Sequence, residues 1–320
     1  MDDTSKKRRV YQMKWEKLGR VFVPDGSMPW AKTHAYVPTA IVRGDEIRIY
    51  AAFWNSNKIK RIGFVDVSAK DPTQVLRVSA EPVLDIGEPG TFDSDGVMPS
   101  CVLDKGNEVW LYYVGWQELV YSPSQVLFAG LAISNDEGNT FNRYQQTPIL
   151  ERIESERFIR STSFVLEENG GYRCWYTSAN KIINISGHEV PSYTIRHALS
   201  LDGIIWSLGF SCLYLLDILK DPEEFGLSRP WIIKENGLYK MFYSVRKVNK
   251  GYSLGYAESK DGYFWERKDN EIGIEKSKEG WDSEMVCFPS VVDYEGNRYM
   301  FYNGNNYGET GFGVAVLEEA

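Results

Sequence analysis

Short runs of apolar and aromatic residues, broken by single polar positions, recur along the whole chain. Ile47-Arg48-Ile49-Tyr50, Val109-Trp110-Leu111-Tyr112-Tyr113, Tyr172-Arg173-Cys174-Trp175-Tyr176, Tyr239-Lys240-Met241-Phe242-Tyr243 and Arg298-Tyr299-Met300-Phe301-Tyr302 are five of them. Runs of this length and composition predict strands. Each follows an anchor segment. Four anchors contain proline: Val37-Pro38-Thr39-Ala40-Ile41, Met98-Pro99-Ser100-Cys101-Val102, Arg229-Pro230-Trp231-Ile232-Ile233 and Phe288-Pro289-Ser290-Val291-Val292. Ser161-Thr162-Ser163-Phe164-Val165 fills the remaining slot without one. The anchors stand at 38, 99, 162, 230 and 289, so the intervals are 61, 63, 68 and 59 residues. Self-similarity at a steady period is the signature of a repeat architecture.

A third run follows in each repeat, as in Ser253-Leu254-Gly255-Tyr256-Ala257, and then a turn. Ser200-Leu201-Asp202-Gly203-Ile204-Ile205-Trp206 and Ser259-Lys260-Asp261-Gly262-Tyr263-Phe264-Trp265 are two such turns. Asp-Gly between β-rich runs signals a hairpin, because glycine supplies the positive φ. Each repeat therefore reads as a four-stranded antiparallel unit. Five such units predict an all-β, five-bladed β-propeller, expected to span 1–320 as one domain with a flexible tail over 1–10. The fifth repeat ends after its third run, Gly311-Phe312-Gly313-Val314-Ala315-Val316. Lys14-Trp15-Glu16-Lys17 resembles the fourth-strand segment Phe264-Trp265-Glu266-Arg267-Lys268. The N-terminal strand is thus expected to close the last blade and cover its open edge. The segments 181–191 and 213–227 look least regular, and a short helix is expected over 217–225.

Composition narrows the function. A net charge of −8 and the lack of a basic stripe argue against nucleic-acid binding. Lys6-Lys7-Arg8-Arg9 reads as a solvated tail. The four cysteines are widely spaced and include no Cys-x-x-Cys pair, so no metal site is expected, and nothing calls for a cofactor. Met1-Asp2-Asp3-Thr4-Ser5 lacks the apolar core of a signal peptide, and no run reaches about 18 apolar residues. These features point to a cytoplasmic, reduced protein with no membrane insertion.

In a propeller the starts of the innermost strands and the ends of the second strands converge on a central funnel. The residues just before the anchors include His34, Tyr36, Asp93, Asp95, Arg160, Arg229, Asp282 and Glu284. Those at the second-strand exits are Trp54, Trp116, Ala179, Arg246 and Asn305. They differ from repeat to repeat, as functional positions do and structural ones do not. Together they compose a polar pocket with aromatic platforms. Phe92-Asp93 and Trp281-Asp282 look like paired structural positions. Ser134-Asn135-Asp136-Glu137-Gly138-Asn139-Thr140-Phe141 is similar to the Asp-box hairpin of sialidase-like propellers, a surface turn that stabilises a blade. His197 reads as a packed third-strand residue.

Ser228-Arg229-Pro230-Trp231, Gly255-Tyr256-Ala257-Glu258-Ser259, Gly280-Trp281-Asp282-Ser283-Glu284-Met285 and Tyr302-Asn303-Gly304-Asn305 carry a resemblance. It is to the five-bladed propellers of the glycoside hydrolase superfamily that includes families 32, 43, 68 and 130, above all to bacterial glycosyl hydrolase-like proteins, and it covers essentially the whole chain. It implies a carbohydrate-active enzyme with carboxylate acid/base residues in the funnel. Families 32 and 43 place an aspartate before the first anchor and a general-acid glutamate in the third blade. Here His34 and Tyr36 stand at the first position. Phe158 and Arg160 stand near the second, with Glu154 and Glu156 upstream.

Two carboxylates are the minimum for ordinary glycoside hydrolysis. Asp95 and Glu284 form the best pair, with His34 as an alternative acid or base. Substrate binding is expected from Tyr36, Trp54, Trp116, Asn303 and Asn305. Arg160, Arg229 and Arg246 are expected to form a basic wall, since arginine recognises carboxylate and phosphate through a planar fork. Such a wall favours an anionic sugar, a sugar phosphate or a nucleotide-sugar, and with it transfer or phosphorolysis in place of hydrolysis. A non-catalytic sugar-binding propeller and a protein-interaction scaffold are the other readings.

Overall fold

The computed structural model describes residues 13–120, 124–185, 187–214, 220–248 and 250–318. The tail over 1–10, with its basic run, lies outside the described residues. The chain begins with β1 (Trp15–Phe22) and then forms consecutive antiparallel units. Unit 1 is β2 (Ala35–Arg43), β3 (Glu46–Trp54), β4 (Lys60–Ser68) and β5 (Val75–Val78). Unit 2 is β6 (Gly96–Asp104), β7 (Val109–Glu118), β8 (Gln125–Ser134) and β9 (Asn142–Arg143). Unit 3 is β10 (Ile159–Glu168), β11 (Gly171–Ile185), β12 (His188–Ser200) and β13 (Phe210–Leu213). Unit 4 is β14 (Glu224–Glu235), β15 (Leu238–Lys247), β16 (Gly251–Ser259) and β17 (Glu266–Arg267). Unit 5 is β18 (Cys287–Tyr294), β19 (Asn297–Asn303) and β20 (Phe312–Leu317), and β1 pairs antiparallel with β20 as its fourth strand. The first strand of each unit lies against the first strand of the next, and β18 lies against β2.

Two expectations about irregular segments are corrected. The stretch 181–191 is the far end of a long β-hairpin, with Lys181 opposite Ser192 and Ile185 opposite His188. Of the helix expected over 217–225, the described part is a turn that enters β14.

The anchors are β-bulges. The ladder slips between Tyr36 and Thr39, Pro99 and Cys101, Ser161 and Phe164, Ser228 and Trp231, and Cys287 and Ser290. In three of them the residue before proline is left-handed, with φ of 56° at Val37, 56° at Arg229 and 57° at Phe288. Such residues cost about 1–2 kcal/mol each. Their displaced N–H groups are collected by the preceding unit. Val37 donates to Asn303 Oδ1 (2.7 Å), Arg229 to Thr177 Oγ1 (3.3 Å) and Phe288 to Ser244 Oγ (2.8 Å).

The aromatic second strands lock neighbouring units together. Tyr50 Oη donates to the Gly138 carbonyl (2.8 Å), Tyr112 Oη to Gly203 (3.0 Å) and Trp175 Nε1 to Gly262 (3.0 Å). Each acceptor lies in the next unit's hairpin, where a serine hydroxyl accepts the glycine N–H and donates to the aspartate. The Asp-box arrangement therefore occurs three times. A second set of tyrosines holds buried carboxylates. Tyr113 donates to Asp93 (2.9 Å), Tyr176 to Glu156 (3.2 Å) and Tyr302 to Asp282 (3.0 Å). Arg143, Arg160 and Lys17 respectively complete these triads.

Candidate functional site

The bulges turn the starts of the first strands toward a common cavity of about 240 Å3. Its wall draws on every unit: Tyr36 and Trp54; Met98, Trp116, Gln125 and Leu127; Ile159, Ser161, Thr177, Pro191 and Tyr193; Ser228, Arg246 and Tyr252; Phe288 and Tyr307. These residues come from first-strand starts, second-strand exits and third-strand starts, with Tyr307 from the short turn α1 (Asn305–Gly308). The wall is mostly aromatic, and among the described residues Arg246 is its only charged one.

Four wall residues carry a buried polar atom without a partner: the indole N–H groups of Trp54 and Trp116 and the hydroxyls of Ser161 and Ser228. Buried polar groups are ordinarily paired, so unpaired ones in a cavity wall mark where a ligand's polar atoms belong. Arg246 Nη1 donates to Tyr193 Oη (3.4 Å) and Nη2 to Tyr307 Oη (3.2 Å). The Tyr193 and Tyr252 hydroxyls share a short hydrogen bond. Burial pushes the phenols of Tyr36, Tyr193 and Tyr252 up, so all three are neutral at pH 7.

The mouth of the cavity holds a feature the sequence did not reveal. Lys60 is buried, its ammonium 4.0 Å from the Trp116 ring centre and 5.1 Å from that of Trp54. The stem crosses Gly96, where a Cβ would come within 2.8 Å of Lys60 Cδ. Burial pushes this ammonium's pKa down, against the opposing pull of Glu118 and Asp95. His34 stacks on Trp54 with ring centres 3.9 Å apart and planes 15° from parallel. The imidazole pKa is lowered, chiefly by burial. One face of Trp54 is thus covered by protein, and Lys60 lies over both indoles.

No family model matches the chain. It is 35% identical over 307 residues to the uncharacterized protein Rv1502 of Mycobacterium tuberculosis, a match that covers 96% of this chain and all of that protein. The chain belongs to the family of Rv1502. Among solved structures it is similar to a thermostable family-43 glycoside hydrolase, with a TM-score of 0.67 and 16% identity over 91% of this chain and 90% of that one. It is also similar to a protein described under "The GH130 family of mannoside phosphorylases contains glycoside hydrolases that target beta-1,2 mannosidic linkages in Candida mannan". That match has a TM-score of 0.69 and 12% identity, and covers 99% of this chain and 95% of that one. The neighbours are glycoside hydrolases with a propeller fold of the family 43, 130 and 32 type.

Of the residues expected to bind or react, Tyr36, Trp54, Trp116 and Arg246 line the cavity. The basic wall does not form. Arg229 is fully buried beneath the anchors, where its guanidinium donates to the carbonyls of Ser100 and Pro38 (3.1 Å for Pro38) and to Thr39 Oγ1 (2.8 Å). Burial without a carboxylate lowers its pKa to about 10. Arg160 is spent on Glu156 (3.0 Å) and the Glu151 carbonyl. The two asparagines hold backbone. Asn303 is fully buried against Val37, Ala35 and Gly311. Asn305 accepts the N–H groups of Glu284 and Met285.

Asp95 and Glu284 stand outside the cavity wall. Asp95 accepts the Glu118 N–H (2.9 Å), and its own N–H donates to the Trp116 carbonyl (3.1 Å), which puts it at the rim. Glu284 is exposed, and its carbonyl lies beside Gly251, next to the wall residue Tyr252. A larger groove of about 890 Å3 lies between the turns of units 3 and 4. Trp206 and Arg173 each leave a polar atom unpaired there, while Glu168 holds both Arg173 and Lys234.

Proposed function

We propose that this chain is a carbohydrate-active protein of the glycoside hydrolase type. In this reading the five units are the blades of a five-bladed propeller forming one domain, and the central cavity takes a single terminal sugar unit. The observation that carries it is the aromatic cavity with four unpaired polar atoms in its wall, within a glycoside hydrolase-like fold. Hydroxyl-rich ligands supply acceptors for the two indole N–H groups and partners for the two serines. At about 240 Å3 the cavity is smaller than the roughly 300–1,000 Å3 of pockets for drug-sized ligands, which suits one sugar ring. Among the described residues no helix is long and apolar enough to cross a membrane. A cytoplasmic location is part of the same proposal.

Hydrolysis requires one carboxylic acid to protonate the leaving oxygen and a second carboxylate to activate water or attack the anomeric carbon. Asp95 and Glu284 take these roles in our reading, with His34, neutral at pH 7, as an alternative base. That no carboxylate lines the wall among the described residues favours a second reading, sugar binding without turnover. The test is a panel of aryl glycosides and oligosaccharides assayed for release, with titration calorimetry in parallel. Turnover that is lost in Asp95→Asn and Glu284→Gln establishes an enzyme. Binding without turnover establishes the second reading, and binding of no sugar at all rejects both.

A further inference from the structure

We infer that the ligand carries an anionic group, the carboxylate of a uronic acid or the phosphate of a sugar phosphate, and that Arg246 receives it. The inference rests on the sugar-site reading above and names the class of sugar. Other buried or half-buried arginines here have a carboxylate: Arg48 has Asp66, Arg160 has Glu156, Arg173 has Glu168 and Arg267 has Glu224. Arg246 has none among the described residues, and Arg229 is tied to carbonyls deep in the core. Neutral phenols cannot compensate the Arg246 charge, and its two hydrogen bonds to them are long, at 3.4 and 3.2 Å. A planar guanidinium with free N–H groups, in a wall whose other described residues are uncharged, is a receptor for two oxygens of one anion.

Two further features point to the same place. The hydroxyls of Ser161 and Ser228, both more than nine-tenths buried, lack partners in the same wall. Tyr307, whose hydroxyl accepts from Arg246, stands in a strained turn where Asn306 (φ 47°) and Tyr307 (φ 58°) are both left-handed. Two consecutive non-glycine residues of this kind are strained, and such strain gathers at ligand clamps. One anion within the cavity would thus meet a fixed cation, neutral phenol donors and free hydroxyls.

The experiment is thermal shift and calorimetry on the whole chain with glucuronate, glucose 1-phosphate and inorganic phosphate, with glucose as the neutral control. Arg246→Gln and Arg246→Lys are measured beside the wild type. The expected result is binding of the anions in preference to glucose. Affinity should fall roughly 10- to 100-fold in Arg246→Gln, the range for losing a charged hydrogen bond, and less in Arg246→Lys. A uronate preference over phosphate, or the reverse, identifies the anion's source. Equal binding of glucose and glucuronate, or anion binding that survives in both variants, overturns the inference and leaves the sugar site standing. Binding of none of the four probes overturns the inference, while failure across the wider panel of neutral sugars would be needed to reject the sugar site as well. Raising ionic strength should weaken anion binding in the wild type, a readout that does not depend on how the variants fold.

Discussion

The carboxamide of Asn303 accepts the backbone N–H of Val37 at 2.7 Å, across 266 residues of sequence. It joins the last unit to the first at the point where Val37 is left-handed. The same amide donates to the carbonyls of Ala35 (2.7 Å) and Gly311 (3.1 Å). Asn303→Ala should therefore lose three buried hydrogen bonds and about 3 kcal/mol of stability, at roughly 1 kcal/mol each. Urea denaturation read by tryptophan fluorescence measures it. A loss below about 1 kcal/mol would mean that the strained bulge relaxes when its acceptor goes.

Arg229 makes the opposite case to Arg246. Its guanidinium reaches from unit 4 to carbonyls of units 1 and 2, and nothing of the residue is exposed. Arg229→Ala should destabilise the fold by about 3 kcal/mol or more, through unsatisfied carbonyls and a cavity. At a temperature where the variant is folded, its affinity for any sugar or anion should match the wild type. A selective loss of anion affinity in stable Arg229→Ala would return this residue to the ligand site.

The period of the anchors made the repeat legible, because five bulges and five aromatic strands perform the same structural work in each unit. The site was legible only in part, because the same variation that marks function also marks inter-unit joints. Asn303 and Thr177 occupy equivalent places with different chemistry, yet both accept the N–H of a neighbouring bulge. Position before an anchor did not separate Arg229, which turns into the core, from Tyr36, which lines the cavity. The carboxylate positions were more readable. Asp93 and Asp282, each after an aromatic residue, are structural posts held by a tyrosine and a cation. Lys60 carried no signal at all. Its burial depends on the missing side chain of Gly96, 36 residues away and in the next unit.

The Tyr50–Gly138 joint offers a test of how units are held together. Gly138 has φ of +75°, and a Cβ on it would meet Tyr50 Oη at 2.1 Å. Gly138→Ala should cost more than about 1 kcal/mol, from backbone strain and from displacement of the tyrosine. Tyr50→Phe alone removes the hydrogen bond and should cost about 1 kcal/mol. In the double variant the clash is relieved, so the combined loss should fall below the sum. A double-mutant cycle from denaturation midpoints gives the coupling, and strict additivity would show that the two residues do not share this contact.

His197 ties stability to pH. It is fully buried, and its Nε2 accepts the Arg173 Nε–H at 3.0 Å, which leaves the proton on Nδ1, where no partner stands. Burial, reinforced by the Arg173 charge, lowers its pKa from 6.5 to about 3. The unfolded chain therefore binds a proton here that the folded chain refuses. This contribution to stability is complete above about pH 6.5 and is lost as pH falls toward 3, on the order of a few kcal/mol in all. His197→Gln keeps an acceptor for Arg173 but cannot titrate. Its unfolding free energy, followed from pH 7 to pH 4, should fall less steeply than that of the wild type. Parallel slopes would mean that another group, such as Glu168, whose carboxyl is held low against burial by hydrogen bonds from Lys234, Tyr239 and Arg173, accounts for the acid sensitivity.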